Sequence, residues 1–402
     1  ISNIGVIDSN DISADKCLIS RNDKQIICEN EEFRFEIICC SKDGNQMKKG
    51  GNGKRFIIHI EEESKNMKRE DNEKNECEIV DLNNGRYEVK MKLKDEGKYS
   101  IFVKFNGINI NSSPFQIQVF SKLKQRNYNE INEPKFTFGS QGNGNGEFNS
   151  PYGINVNSNG AILVGDTANH RIQIFDSQGK FLSTFGSQGN RNRQFNSPIG
   201  IAINSKGNIL ICDTDNHRIQ IFDSEWNSIS KFGSKGSENG RFNSPYGICV
   251  DLNDNILVCD YENHRVQIFD FQGKFISTFG SEGKGNSQFD FPRGIAINSK
   301  GNIIVSDFYN HQIQIFDSKG KFISILGSQG SENGQFNGPY GICVDLSDNI
   351  FVCDVNNHRI QIFNSNGEYI TQFKVTYPMD ITIDHNTQSI IVSRYDNQVS
   401  IF

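Results

Sequence analysis

The stretch Pro198-Ile-Gly-Ile-Ala-Ile-Asn-Ser-Lys-Gly-Asn-Ile-Leu-Ile-Cys-Asp213-Thr-Asp-Asn-His-Arg-Ile-Gln-Ile-Phe222 is one copy of a cassette that fills the back two-thirds of the chain. Its start recurs at Pro151, Pro198, Pro245, Pro292 and Pro339, each 47 residues apart, with Pro378 following after 39. The acidic anchor keeps step at Asp166, Asp213, Asp260, Asp307 and Asp354. Within the quoted copy and its continuation, short apolar segments at Gly200–Ile203, Asn208–Cys212, His217–Phe222 and Ser228–Phe232 alternate with turns rich in Gly, Asn and Asp. That is the chemistry of hairpins, and it predicts four antiparallel strands per cassette. Units of this length cannot bury their apolar faces alone, so they stack as a solenoid or a propeller. Segments apolar on both faces, such as Ile350–Cys353, favour sheets sandwiched around an axis: a β-propeller.

The ends set the blade count. The last copy stops at Phe402 after its third strand, while Lys135-Phe-Thr-Phe-Gly-Ser140 matches the fourth-strand text Lys180-Phe-Leu-Ser-Thr-Phe-Gly-Ser187. The early strand is therefore expected to complete the last blade, giving six blades and a ring without an open edge. In the sixth copy Ser393, Asp396 and Gln398 stand where the Asp, Asn and Arg anchors are expected.

Residues 1–134 lack this period and alternate every second residue instead. Tyr87, Val89, Met91 and Leu93 interleave with Glu88, Lys90, Lys92 and Lys94; Phe33, Phe35, Ile37 and Cys39 behave likewise, as do Phe115, Ile117 and Val119. Half-buried strands of an antiparallel sandwich read this way. Glu61–Glu76 is a charged stretch expected as a solvated inserted loop, and 121–134 reads as a linker.

These motifs resemble known families. Pro-x-Gly-Ile, Asp-x-x-Asn-x-Arg-Ile-Gln-Ile-Phe and the Gly-Ser-x-Gly loops look like NHL repeats over 135–402. Lys48-Lys-Gly-Gly51, Val80–Tyr87, Gly97-Lys-Tyr99 and Ile108–Phe115 resemble a filamin-type immunoglobulin-like repeat. The expected fold is all-β: a filamin-type sandwich at 1–120, a linker at 121–134 and a six-bladed NHL propeller at 135–402. This order is similar to the C-terminal half of tripartite-motif NHL proteins. In that family a RING, B-boxes and a coiled coil lie upstream, so ubiquitin-ligase chemistry is implied only outside this chain. A start at Ile1 rather than Met fits a fragment of something longer.

Composition narrows the function. The 402 residues carry a net charge of −6 and a mean hydropathy of −0.54. No apolar run approaches the ~20 residues of a membrane span, and Ile1–Asn10 has no basic start or long apolar core of a secretory leader. Cys249 and Cys343 share one cassette position, and Cys212, Cys259 and Cys353 another, where other copies have small residues. These are strand residues rather than disulfide partners, and a reducing, cytoplasmic compartment is expected. The Asn111-Ser-Ser113 triplet is a glycosylation sequon of a kind common by chance.

His170, His217, His264, His311 and His358 repeat at one position. Around a six-fold ring they are expected on the order of 10 Å or more apart, too far to share a zinc ion, which needs each ligand at ~2 Å. They and the Asp166, Asn169 and Arg171 positions are read as turn braces. His59 and His385 stand alone, and no catalytic motif or phosphate cradle occurs. No cofactor, metal or small-molecule substrate is expected.

Variation between copies points to binding. The turn after Asp and the long loop before Pro are expected on one face, and there Tyr246, Tyr261, Arg293, Phe308, Tyr309, Tyr340, Arg394 and Tyr395 place aromatics beside arginines. These are the residue types of protein hot spots and of base stacking. NHL propellers, by the resemblance, bind RNA or protein on this face. From residue 135 onward there are 20 Lys/Arg and 25 Asp/Glu, a balance of −5, and an acidic propeller is a poor phosphate binder. A protein partner is favoured, with RNA as the alternative through Arg191, Arg193, Lys235, Arg241, Lys284 and Arg293. The filamin-type domain is either a spacer or a second contact, by adding a partner strand to a sheet edge.

Overall fold

The computed structural model describes residues 18–21, 26–28, 32–38, 56–62, 76–82, 86–93, 97–105, 108–110, 113, 115–120 and 127–402 apart from 252. They form two compact units, 1–126 and 127–402. Among the described residues no helix is long and apolar enough to cross a membrane.

Two-residue alternation builds the first unit. Phe33, Phe35 and Ile37 on strand Glu32–Ile38 and Tyr87, Val89 and Met91 on Arg86–Lys92 are buried. Their sheet runs Leu18–Arg21, Glu32–Ile38, Arg86–Lys92, Glu76–Asp81. A second sheet runs Ile26–Cys28, Phe115–Phe120, Gly97–Phe105, Phe56–Glu62. Tyr99, Ile101 and Val103 of the second meet the first in one core, the packing of a sandwich. Of the charged stretch expected as a loop, Glu61 and Glu62 end one strand and Glu76 opens another; 63–75 lie outside the described residues. So do Cys39, Lys94, Lys48–Gly51 and Asn83–Gly85.

The second unit holds six four-stranded antiparallel sheets. Blade two is typical, with strands Pro198–Ile203, Ile209–Asp213, Arg218–Phe222 and Ser228–Phe232 from the axis outward. Its second and third strands are buried throughout, because neighbouring blades cover both faces. The innermost strands crowd at the Pro-x-Gly bulge. A Cβ on Gly153, Gly200, Gly247 or Gly294 would stand 1.8, 2.2, 2.0 or 2.2 Å from the next blade's carbonyl oxygen, so only glycine fits. The sixth blade puts Asp380 at this position, and its carboxylate instead accepts the Ile154 N–H of blade one at 3.1 Å.

Blade six is composite. Pro378–Asp384, Ser389–Arg394 and Gln398–Ile401 are completed by Phe136–Phe138, in register Phe136↔Ile401, Thr137↔Ser400 and Phe138↔Val399. Lys135 adds a backbone bond to Ile401 (2.7 Å) and an ammonium bond to the Phe402 carbonyl (3.2 Å). Within the segment expected as linker, Tyr128–Glu130 form a 3-10 turn, and buried Tyr128 packs edge-on to Phe351 and donates to Asp345. From residue 127 the chain is thus part of the propeller.

One polar network fixes the loops of the face defined above. Asp213 is fully buried; its carboxylate accepts Asn196 N (2.7 Å), Asn216 Nδ2 (2.9 Å), Arg218 Nε (2.6 Å) and Gln220 Nε2 (3.0 Å). Arg218 in turn donates to the carbonyls of Asn190, Arg191 and Gln194 in the long loop. Blades one, three and five repeat the pair through Asp166–Arg171, Asp260–Arg265 and Asp354–Arg359, and blade four substitutes Gln312 for the arginine. Burial raises the carboxyls of Asp213, Asp260 and Asp307 against the pull of these donors.

The sixth blade corrects the sequence alignment. Arg394, not Ser393, pairs with Pro378 and so occupies the Asp position. Its turn is one residue shorter, so the Asp anchor moves to Arg394 while Gln398 keeps the Arg position, pairing with Arg394 as Arg171 pairs with Asp166. Arg394 bonds to Asp396 and to Ser400 Oγ. The loop before this blade is only Val375–Tyr377, so there are few carbonyls for an Asp–Arg pair to hold.

The repeated histidines clasp adjacent blades. His217, expected to open a strand, instead ends the preceding turn in the left-handed region (φ 52°). In this pose Nδ1 of His170, His217, His264, His311 and His358 accepts the backbone N–H of Ser197, Ser244, Phe291, Gly338 and Tyr377 in the next blade, at 3.0–3.3 Å. Asn397, also left-handed, closes the circle by accepting Ser150 N–H (2.9 Å). An accepting Nδ1 must be unprotonated. Burial lowers the pKa of His217 and His311 below the ordinary 6.5. The unfolded chain then takes up protons that these folded rings refuse, so their contribution is complete above 6.5 and is lost as pH falls below it. Asp380, pushed up to about 7 by burial, acts in the opposite sense, because the fold favours its protonated form. The clasp is therefore isolated by a His217→Asn/His311→Asn variant, which copies the sixth junction. Its melting temperature is expected to fall less than that of the parent between pH 7.5 and 5.5; equal falls would contradict the clasp.

Candidate recognition site

Each innermost strand presents the residue after its proline to the mouth of the central channel. Those residues are Tyr152, Ile199, Tyr246, Arg293, Tyr340 and Met379. Below them the glycine ring narrows the channel to a cavity of about 30 Å³, also lined by Asp380. A cavity of that size holds about one water, so a larger ligand on this side meets the mouth itself.

Arg293 sits at the centre of this mouth. Its guanidinium carbon lies 3.9 Å from the Phe308 ring centroid, 4.1 Å from Tyr340, 5.1 Å from Tyr261 and 5.2 Å from Tyr246. Tyr246 and Tyr340 are hydrogen-bonded through their hydroxyls, and Tyr152 packs on both rings. Burial pushes the phenols of Tyr246, Tyr261 and Tyr340 above their ordinary range, so the cage is made of neutral phenols rather than phenolates. Cation–π attraction suits this arrangement.

The cage spreads outward over blades three to five. At the first turn position blades one and two use Thr167 and Thr214, whose hydroxyls bond the next blade's proline carbonyl at 2.7 and 2.8 Å. Blades three and four give up that tie and place Tyr261 and Phe308 there. Phe291 packs on Tyr261, His264 and Tyr309 with ring centroids 4.7, 4.5 and 5.5 Å away. Its φ is +58°, where three other blades have Ser and one has Gly. The residue before the proline is left-handed in every blade, so this backbone belongs to the repeat and the ring is what differs. Tyr309 is 52% exposed beside it.

The structure thus brings Tyr246, Tyr261, Arg293, Phe308, Tyr309 and Tyr340 together, though Tyr340 is only 5% exposed and serves as wall more than surface. Arg394 is not with them; it braces the sixth turn. Tyr395 is exposed near Tyr377, which stacks edge-on to His358. Of the basic candidates only Arg293 reaches the cage. Arg191, Arg193, Lys235, Arg241 and Lys284 are exposed on the loops before blades two, three and four, where Arg193 lies over Phe185 and Arg241 faces Glu238. Sequence reading missed Phe291 and Tyr377. The signal was there in the residue before each proline, which reads Ser, Ser, Ser, Phe, Gly, Tyr around the ring.

On the far side the channel widens to about 310 Å³, lined mainly by aliphatic strand residues with Asp380 and His385. Burial lowers the pKa of His385, whose Nδ1 has no hydrogen-bond partner.

The architecture defines a filamin-type sandwich carrying an NHL-type propeller, and comparison with known proteins agrees. Residues 11–116 match the Filamin/ABP280 repeat, and 148–175, 195–222, 242–269, 289–316 and 336–363 match the NHL repeat. The chain thus carries a Filamin/ABP280 repeat followed by five NHL repeats. It is 38% identical over 105 residues to E3 ubiquitin-protein ligase TRIM71 of Rattus norvegicus, covering 26% of this chain and 12% of that protein. Protein lin-41 of Caenorhabditis elegans is 39% identical over 90 residues, 22% of this chain and 8% of that protein. The matches therefore span about an eighth or less of these relatives. A solved structure of a protein of unknown function from Bacteroides thetaiotaomicron shares the fold, with TM-score 0.53 and 13% identity over 99% of this chain and 100% of that one.

Proposed function

We propose that the chain is a recognition module whose propeller binds a protein partner at the mouth of its channel, and that it selects substrates for a ubiquitin ligase in the cytoplasm. The observation that carries this reading is the aromatic arc around Arg293, where blades three and four place Tyr261 and Phe308 at the turn position held by threonine in blades one and two. Large aromatics and arginine are the side chains that dominate protein interfaces. The relatives named as E3 ubiquitin-protein ligases supply the ligase context. The free cysteines, three of them buried on second strands, suit a reducing compartment.

A photo-reactive residue at Tyr309, with a control at exposed Phe271 on the opposite face, tests the reading in cells. Proteins captured from position 309 and not from 271 are the expected result. Recovery of RNA alone, or equal capture from both positions, contradicts it.

A further inference from the structure

Arg293 is a largely buried cation without an anion. Among the described residues no carboxylate lies within 4.0 Å of it, whereas Arg171, Arg218, Arg265 and Arg359 each hold a buried aspartate. Two of its five N–H bonds reach phenol oxygens, at 3.4 Å (Tyr246) and 3.2 Å (Tyr261), and Nε has no acceptor. Ring faces attract a cation but carry no negative charge to neutralise it. Removing charge from water without a counter-ion is costly, and an incoming anion repays it.

Resting on the reading above, we propose that the anion is a carboxylate of the bound protein: an Asp or Glu side chain, or a chain terminus, next to an apolar residue that packs on Phe291 and Tyr309. Three features favour a single carboxylate over a phosphate chain. Among the described residues one unpaired guanidinium stands at the mouth, so a ligand with charge at every unit finds one partner. The surrounding loops are interleaved with acids, including Asp215, Glu262 and Asp290, which repel a polyanion. The site is flanked by rings on one side, which suits an apolar neighbour in an extended segment. A planar carboxylate matches the fork of the guanidinium.

The test is selection of 12-residue peptides from a random display library on the full chain, followed by solution affinities. Enriched peptides are expected to share an Asp or Glu beside an aromatic or aliphatic residue. Changing that acid to Asn or Gln in the peptide should weaken binding about thirtyfold or more. The measurement needs no change to the protein. Amidating the peptide terminus separates the two sources: loss on amidation assigns the terminus, and no loss assigns the side chain. R293Q should bind the acidic and neutralised peptides alike, with its melting temperature confirming the fold. Enrichment without an acid, no enrichment, or unchanged discrimination in R293Q overturns the proposal. So does tight binding of short RNAs with a steep salt dependence lost in an Arg191/Arg193/Arg293 triple alanine variant. If position 309 still captures proteins in cells while acid neutralisation has no effect, the recognition reading stands and the carboxylate fails; if capture itself fails, both fall.

Discussion

A fragment beginning at residue 139 is expected to lose cooperative unfolding and to aggregate, whereas one beginning at 127 should melt as a single stable unit. The two differ by twelve residues, yet those residues supply the fourth strand of blade six. Without Phe136–Phe138, strand Gln398–Ile401 becomes an unpaired edge in a sheet meant to be closed, a template for other chains. Phe138 packs on Phe148 and Phe175, with centroids 6.4 and 4.8 Å away, and Tyr128 leaves a buried site against Phe351. Deleting one such ring costs about 3 kcal/mol or more. The combined loss is on the order of the whole 5–15 kcal/mol that holds a domain together. Calorimetry of both fragments checks this. A cooperative transition for the shorter fragment within a few degrees of the longer one would mean the ring does not depend on its borrowed strand.

Replacing Asp213 with alanine is expected to lower stability by about 3–5 kcal/mol, because it leaves the Arg218 guanidinium buried and unpaired. For a unit of this size that is a fall of roughly 10 °C in Tm. The partner comparison is more telling than the magnitude. At blade four the equivalent Asp307 faces Gln312, a neutral group, so Asp307→Ala removes hydrogen bonds without stranding a charge. The loss at Asp307 should be clearly smaller than at Asp213, and an Asp213→Ala/Arg218→Met double variant should recover part of the deficit. Equal losses in blades two and four would show that the arginine, despite its 2.6 Å contact, contributes nothing particular.

The repeat made most of the propeller legible. Strand positions followed from turns and apolar runs, and the split blade followed from where the fourth-strand text occurs. What escaped was local. The shift of one residue in the sixth turn is invisible to alignment, because Ser393-Arg394 can be placed on Cys-Asp or on Asp-x until the Pro378↔Arg394 pairing decides. The histidines were recognised as turn residues, but their role as acceptors across the blade junction depends on a left-handed backbone that residue type does not reveal. Tyr128 looked like linker because its partners, Phe351 and Asp345, lie more than 200 residues away. The site was half legible. Unlike residues at equivalent positions flagged Tyr246, Tyr261, Arg293, Phe308, Tyr309 and Tyr340, but not that four of these rings converge on the Arg293 guanidinium. Arg394 was misplaced by the same register shift, and Phe291 was overlooked because the position before proline reads as Ser or Gly in most blades.

The most direct measurement of the recognition surface is amide hydrogen exchange of the full chain, alone and saturated with a partner recovered from cells. Slowed exchange should concentrate at 244–247, 261–263, 291–294, 308–310 and 338–341, the backbone that carries the aromatic arc and Arg293. Protection centred instead on the turns of the opposite face, at 204–207 and 270–273, or along the outer edge strands, would contradict the account.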